Sequence, residues 1–281
     1  MSHPLRIGLK LPQQVHPLSV QRDVWVTADQ GGFDHIWAYD HLQALGPDPV
    51  EPILDGWTIL ASMAEVTKRA RIGLNVTGNL YRHPALLAKI ATTVDHISGG
   101  RLEFGIGAAW NEPEFAMIGM PFPSAGDRIR MLNEACYVFK ALWTEPRATY
   151  AGRFYTITDA IAEPKPVQKP YPPIWIGGSG PKRTLRVVAR HADVWHAQRS
   201  RDPKQSMGLL DQHCAKIGRD PSTIRRSVAV TLTTIDATLA EIESLFRAGF
   251  TEIMVGLKGP DPRAEAERAA KQLLPRARAI A

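Results

Sequence analysis

The chain has 281 residues, a formal net charge of +6 at pH 7, and cysteines only at Cys136 and Cys214. Its composition, 44% hydrophobic and 22% charged, is that of a globular protein and argues against disorder or a coiled coil. Two cysteines are too few for a disulfide framework, and no apolar run approaches the ~20 residues that cross a bilayer. The N-terminal residues lack the apolar segment of a secretory signal, so we expect a cytoplasmic protein with no membrane partner.

The excess of positive charge is spread along the whole chain. A nucleic-acid-binding surface needs clustered lysine and arginine with interleaved aromatic residues, so we expect no nucleic-acid partner. Two explanations of the charge stay open: it is solvated surface charge, or it favours an anionic small ligand such as a phosphorylated cofactor.

Short apolar runs alternate with amphipathic stretches, a pattern typical of β/α units. Eight runs are predicted as strands: Arg6–Leu11, His35–Tyr39, Arg71–Thr77, Arg101–Gly107, Pro173–Gly177, Asp193–Ala197, Arg226–Thr233 and Glu252–Leu257. Helices are predicted between them: Ser19–Gln30, Asp55–Val66, Pro84–Ile97, Lys182–His191, Pro203–Ile217, Ala237–Ala248 and a last one from Pro262. Eight such units predict a single α/β domain over residues 1–281, a closed (β/α)8 barrel. An open doubly wound sheet is the alternative.

The region before the fifth strand departs from this simple alternation. A helix is predicted there because one apolar face recurs at spacings of three and four residues. The proline-rich residues 144–173 follow as an insertion, with a hairpin that turns at Ala151-Gly152. Long loops in compact domains are often functional, so we expect a lid over the active site. The apolar face of the helix consists of Ile129, Leu132, Cys136, Phe139 and Trp143.

The active site of a β/α barrel lies at the C-terminal ends of its strands. Asp40 and His41 end the second strand, and a histidine there can exchange a proton near neutral pH. Asp40 would raise the basicity of His41, although neighbouring strand residues point to opposite faces. The alternative is a histidine that is only hydrogen-bonded within its loop.

Two further strand ends carry candidate residues. Gly177-Gly178-Ser179-Gly180 leads into a helix with Lys182, Arg183 and Arg186, which suits an anion, or else it is only a tight turn. After the fourth strand, Asn111 suits a heterocycle edge, while Glu112 and Glu114 are functional acids or simply open a helix.

Hydrolases are the competing class. A metal-dependent barrel hydrolase would have to recruit His41, Asp193 and His196, and no pair of histidines stands at ligand spacing on one strand, so no metal is expected. A serine hydrolase is disfavoured because no Gly-x-Ser-x-Gly sequence follows a strand.

Five segments, each at a predicted strand end, form a further pattern. They are WAYDH at 37–41, LNVTGNLYRHPALLAK at 74–89, SGGRLEFGIGAAWNEPEF at 98–115, PFPSAGDRIRMLNEA at 121–135 and KPYPPIWIGGSGPKRTLRVVARHADVW at 169–195. In this order they resemble the bacterial luciferase-like monooxygenase superfamily, and within it the oxidoreductases that use the deazaflavin coenzyme F420. Because five segments match in order, the match is more specific than a single motif.

The resemblance implies a barrel with the cofactor ring in its mouth, and a homodimer. Asp40 and His41 would lie near the hydride-carrying carbon, and a non-proline cis peptide that supports the ring would fall at Asn75-Val76. The remaining cofactor contacts are expected at Thr77, Gly107, Asn111, Gly177, Gly178 and Ser179.

One departure from the family pattern bears on the substrate. The sugar-phosphate dehydrogenase branch carries a proton-donating glutamate in the loop after the fourth strand, where this chain has Ala108. We therefore expect hydride transfer between a deazaflavin and a different small organic substrate, with His41 or Glu112 as the proton relay. The alternative is an FMN-dependent monooxygenase that uses O₂.

Overall fold

A computed structural model describes residues 3–199 and 201–280. The described residues form strands that we number along the chain: β1 (Arg6–Lys10), β2 (His35–Ala38), β3 (Arg71–Leu74), β4 (Thr77–Gly78), β5 (Leu102–Gly107), β6 (Ala148–Ala151), β7 (Thr156–Ala160), β8 (Ile174–Gly177), β9 (Val194–Ala197), β10 (Arg225–Thr231) and β11 (Glu252–Gly256).

Eight of these strands close into a parallel barrel. β1 pairs with both β2 and β11, and the ring continues through β10, β9, β8 and β5. β3 pairs with β2 on one side and β5 on the other, which closes the ring. The predicted (β/α)8 barrel is confirmed, including the insertion before its fifth strand, β8.

Helices follow the strands and cover the barrel. Asp55 caps α2 by accepting from the Thr58 amide at 2.8 Å, and Gly32 ends α1 with a φ of 96°. No helix in the described part of the chain is long and apolar enough to cross a membrane. The helices are α1 (Leu18–Gly31), α2 (Gly56–Val66), α3 (Pro84–Ile97), α4 (Glu112–Met117), α5 (Ala125–Thr144), α6 (Thr184–His191), α7 (Pro203–Ala215), α8 (Ile235–Arg247), α9 (Pro262–Arg268) and α10 (Leu274–Arg278).

One predicted strand and one predicted turn need correction. Residues 71–77 are not one strand, because a cis peptide at Asn75-Val76 separates β3 from β4. The hairpin turns at residues 152–155 rather than at Ala151-Gly152. The reason is Glu134 of α5, whose carboxylate accepts from the backbone amides of Arg153, Phe154 and Tyr155 and holds them in the turn.

The insertion is not a lid over the barrel mouth. Residues 144–173 are all described, and none of them lines the cavity described below. Lys165 donates to the Leu142 and Glu145 carbonyls of α5, and Gln168 donates to the Asp95 carboxylate at 2.7 Å. These bonds bind the insertion to the outer helices, so the prediction of a lid was wrong.

The strands alternate between an outer face and the barrel interior. Outward residues such as Phe104 pack on Phe139 and Trp143 of α5, at ring-centroid distances of 5.0 and 5.1 Å. Together these apolar contacts form the main core between the barrel and its helices.

The interior itself is filled in layers. At the N-terminal end lie the buried carboxylates Glu103 and Glu252, which pair with surrounding arginines. Above them pack Trp37 and Trp175, 4.6 Å between ring centroids. At the C-terminal end the inward residues of several strands are small, so this end stays open.

Candidate active site

A cavity of about 570 Å³ opens at the C-terminal end of the barrel, within the size range of small-molecule sites. Most of the residues predicted for the site line it, whereas Asn111 and Glu112 do not. The predicted residues in its lining are Asp40, His41, Asn75, Val76, Thr77, Gly107, Gly177, Gly178 and Ser179.

Val76 forms part of the cavity wall and is seated between two glycines. The Asn75-Val76 peptide is cis, as the resemblance implied. A Cβ on Gly107 would stand 2.9 Å from Val76 Cγ2, and one on Gly177 would stand 3.1 Å from Val76 Cγ1. Because both positions lack a side chain, Val76 fits between them. No side chain projects into the cavity from Gly107 or Gly177, which leaves space for a flat ligand.

Asp40 is held away from His41. Its carboxylate accepts from the Arg82 guanidinium at 2.6 Å and from the Thr77 hydroxyl. Trp57 donates to that same hydroxyl at 3.1 Å, so Thr77 links Trp57 to Asp40. Burial raises the pKa of Asp40, while Arg82 and Thr77 oppose the change. Asp40 therefore makes no hydrogen bond to His41 in the described chain, and its effect on the basicity of His41 stays a prediction.

Glu114 is the carboxylate that contacts His41. Its two oxygens lie 3.1 and 3.0 Å from His41 Nδ1, and Oε1 also accepts from the Leu42 amide at 2.8 Å. The Tyr81 hydroxyl donates to Oε2. The side chain of Glu114 is fully buried, so these bonds fix the ring of His41 and the loop after β2 together.

The charge of Glu114 is stabilised in place. Although burial opposes it, the hydrogen bonds from His41 and Tyr81 lower the pKa of Glu114. Because an ionised carboxylate can only accept hydrogen bonds, Nδ1 of His41 is the nitrogen that donates to Glu114. Nε2 has no hydrogen-bond partner among residues 3–199 and 201–280.

The sequence did not distinguish Glu112 from Glu114. Glu112 is exposed in the first turn of α4, where an acidic residue suits the helix N-terminus, and its catalytic role stays a prediction. The signal for Glu114 was its place in the segment after the fourth strand, three residues from Asn111. Asn111 is 8% exposed, and its Nδ2 has no partner in the described part of the chain.

The glycine-rich turn after β8 lines the cavity. Gly178 has a φ of 126°, and the Ser179 hydroxyl accepts from the Gln198 amide at 3.0 Å. Helix α6 begins at Thr184 rather than at Lys182, and Lys182, Arg183 and Arg186 are exposed outside the lining. The cations of the cavity wall are instead Arg128 and Arg201.

Of the residues of the metal alternative, His41 and His196 both line the cavity, but Asp193 does not. Asp193 precedes β9 and bonds the Ile174 amide at the opposite end of the barrel from His41. Among the residues that the structure describes, no group of three or more histidines, cysteines or carboxylates could hold a metal ion.

The luciferase-like monooxygenase family model matches residues 1–280 of the chain. The chain belongs to this family. An uncharacterized protein of Mycobacterium tuberculosis is 34% identical over 224 residues, which are 78% of this chain and 76% of that protein. An F420-dependent glucose-6-phosphate dehydrogenase of Microbacterium testaceum is 33% identical over 227 residues, 78% of this chain and 65% of that enzyme.

A solved structure confirms the fold over nearly the whole chain. An F420-dependent secondary alcohol dehydrogenase, solved with an F420-acetone adduct, superposes with a TM-score of 0.87 at 18% identity. The match covers 98% of this chain and 99% of that one.

The two neighbouring glutamates offer a matched test of the support for His41. Glu114→Gln should lower the free energy of unfolding by about 1–3 kcal/mol. The substitution removes the charge of a buried carboxylate that accepts hydrogen bonds from an imidazole, from backbone amides and from a tyrosine hydroxyl. Glu112→Gln should change it by less than about 0.5 kcal/mol, because that side chain is exposed. Urea denaturation measures both values, and equal losses would contradict the assignment of Glu114.

Proposed function

We propose that this chain is an oxidoreductase that uses the deazaflavin coenzyme F420 and transfers a hydride to or from a small organic substrate. The observation that carries the proposal is the cavity itself. In it, Val76 packs between Gly107 and Gly177 and forms part of the wall. The Nε2 of His41 has no hydrogen-bond partner in the described chain. The relative of Microbacterium testaceum, which is named as F420-dependent, supports the choice of cofactor.

The residues present fit such a cofactor. Gly107 and Gly177 leave the space that a flat ring needs, and the buried amide of Asn75 has a donor without a partner in the described chain. Arg128 and Arg201 suit the anionic tail of the deazaflavin. When bound, the cofactor would supply the hydride chemistry, and the protein would bind it, orient it and exclude water.

His41 is the proposed proton relay. When a hydride leaves the carbon of an alcohol, the hydroxyl proton must leave as well, and a neutral imidazole can accept it on Nε2. In the opposite direction the same nitrogen returns the proton. Glu114 does not line the cavity, so its proposed role is to position His41 and stabilise the imidazolium.

The proposed substrate class excludes sugar phosphates. Ala108 lines the cavity where the sugar-phosphate branch carries its acid, and Asp40 is the carboxylate that we find in the described lining. Asp40 is already engaged by Arg82 and by the Thr77 hydroxyl. A neutral alcohol or carbonyl compound, which needs only His41, fits this arrangement.

An FMN-dependent monooxygenase is the second candidate, since the family takes its name from monooxygenases.

The proposed homodimer and the cytoplasmic location rest on the resemblance and on composition. Analytical ultracentrifugation tests the dimer: a single species of 31.0 kDa would contradict it.

Isothermal titration calorimetry of the protein with oxidised F420 and, separately, with FMN tests the choice of cofactor. F420 should bind at least about tenfold more tightly than FMN, a difference of about 1.4 kcal/mol, because the cavity cations pair with its longer anionic tail. Raising the salt concentration should weaken the binding of F420 more than the binding of FMN. Tighter binding of FMN would favour the monooxygenase.

His41→Ala should separate proton transfer from binding. We expect the rate of F420 reduction, with a panel of secondary alcohols as substrates, to fall by about 10²–10⁴-fold. The Kd for F420 should change much less, because the wall at Val76 is untouched. The exposed His96→Ala serves as control and should leave both values unchanged. An unaltered rate in His41→Ala would remove His41 from the reaction.

A further inference from the structure

The C-terminal end of the barrel interior holds a cation without a carboxylate. Lys10 ends β1 and points inward, two residues after Gly8, whose missing side chain makes room for the inward ring of His35. The inward arginines at the other end pair with Glu103 and Glu252. No carboxylate of the described chain lies within ion-pair distance of the Lys10 ammonium.

Lys10 orients the amide of Asn75. Its Nζ donates to Asn75 Oδ1 at 2.9 Å, and an ammonium group can only donate, so the amide oxygen faces the lysine. The Nδ2 of Asn75 therefore faces away from Lys10. Asn75 is 9% exposed and lines the cavity, and its Nδ2 has no partner among the residues described. A buried donor of this kind is unfavourable unless a ligand accepts its hydrogen bond.

The lysine carries its charge at neutral pH. Burial lowers the pKa of Lys10 to about 8, so most of the ammonium groups remain protonated at pH 7. His196 of β9 also faces this space, and burial lowers its pKa to about 3, so it is neutral. Its Nδ1 is bonded to the Ser227 hydroxyl at 3.0 Å. The positively charged Lys10 ammonium therefore lies on the Oδ1 side of the Asn75 amide, whose Nδ2 has no partner in the described chain.

We propose that Lys10 and Asn75 form a subsite for the carbonyl-bearing edge of the cofactor ring and bind the reduced ring more tightly than the oxidised ring. This inference rests on the proposed function. A hydride brings two electrons and one proton to the ring, while the substrate carbon loses the same two electrons. The added electron density reaches the ring edge, where a donor backed by a positive charge stabilises it. Lys10 acts through Asn75 and is a positioning residue.

Binding of the two redox forms tests the subsite without any turnover. Oxidised F420 and borohydride-reduced F420 are titrated anaerobically into the protein by calorimetry. In Lys10→Met the ratio of the oxidised Kd to the reduced Kd should fall about tenfold, which corresponds to a midpoint potential lower by about 30 mV. Lys10→Arg keeps the charge and should keep most of the ratio.

Lys140→Met is the matched control. Lys140 is also half-buried, and burial lowers its pKa, but it donates to the His191 carbonyl and does not line the cavity. This variant should retain the wild-type ratio. Should Lys10→Met fail to fold, Asn75→Ala removes the donor instead and carries the same expectation.

The outcomes separate the subsite from the proposed function. If Lys10→Met weakens both redox forms equally, or leaves both unchanged, Lys10 only supports the segment at Asn75 and the inference is wrong. An equal fall of the ratio in Lys140→Met would also overturn it. If the wild-type protein binds neither form of F420, the proposed function fails together with the subsite.

Discussion

The interior of the barrel is filled at one end and open at the other, and the candidate site depends on this difference. Buried ion pairs around Glu103 and Glu252 and the packed rings of Trp37 and Trp175 close the lower part. Several of the inward positions then become small, as at Gly107 and Gly177. Without that change along the strands, the mouth would be packed like the rest of the interior and no ligand could enter.

The polar groups of the mouth are fixed from behind rather than by one another. His41 is held by Glu114, Asp40 by Arg82, and Asn75 by Lys10. Each of these supporting partners lies outside the cavity lining. Groups that are oriented in this way lose little freedom when a ligand binds, so the mouth is organised before the cofactor arrives.

Much of the fold and part of the site follow from the sequence. The alternation of short apolar runs with helical stretches is local information, and it predicts all eight barrel strands. Parallel strands then bring Asp40, Asn75 and Gly177 to one rim, because their C-terminal ends meet there. The break in the third strand is invisible to such periodicity, since residues 71–77 are apolar enough for one continuous strand.

The partners of the site residues could not be predicted from spacing. Glu114 lies 73 positions from His41 in the sequence. A second glutamate, Glu112, lies two residues before it. Only the short helix α4 decides which of the two faces inward. In the same way, the proline-rich insertion looked like a lid, and its path along the outer helices is set by contacts with distant residues such as Asp95.

A crystal structure of the protein with F420 tests the central claim most directly, that the open end of this barrel is the place of a deazaflavin ring. The account predicts electron density for the ring against Val76, with its hydride-carrying carbon toward His41 and its carbonyl-bearing edge within hydrogen-bond distance of Asn75 Nδ2. Density for the ring outside this cavity, or a ring whose reactive carbon faces away from His41, would contradict it.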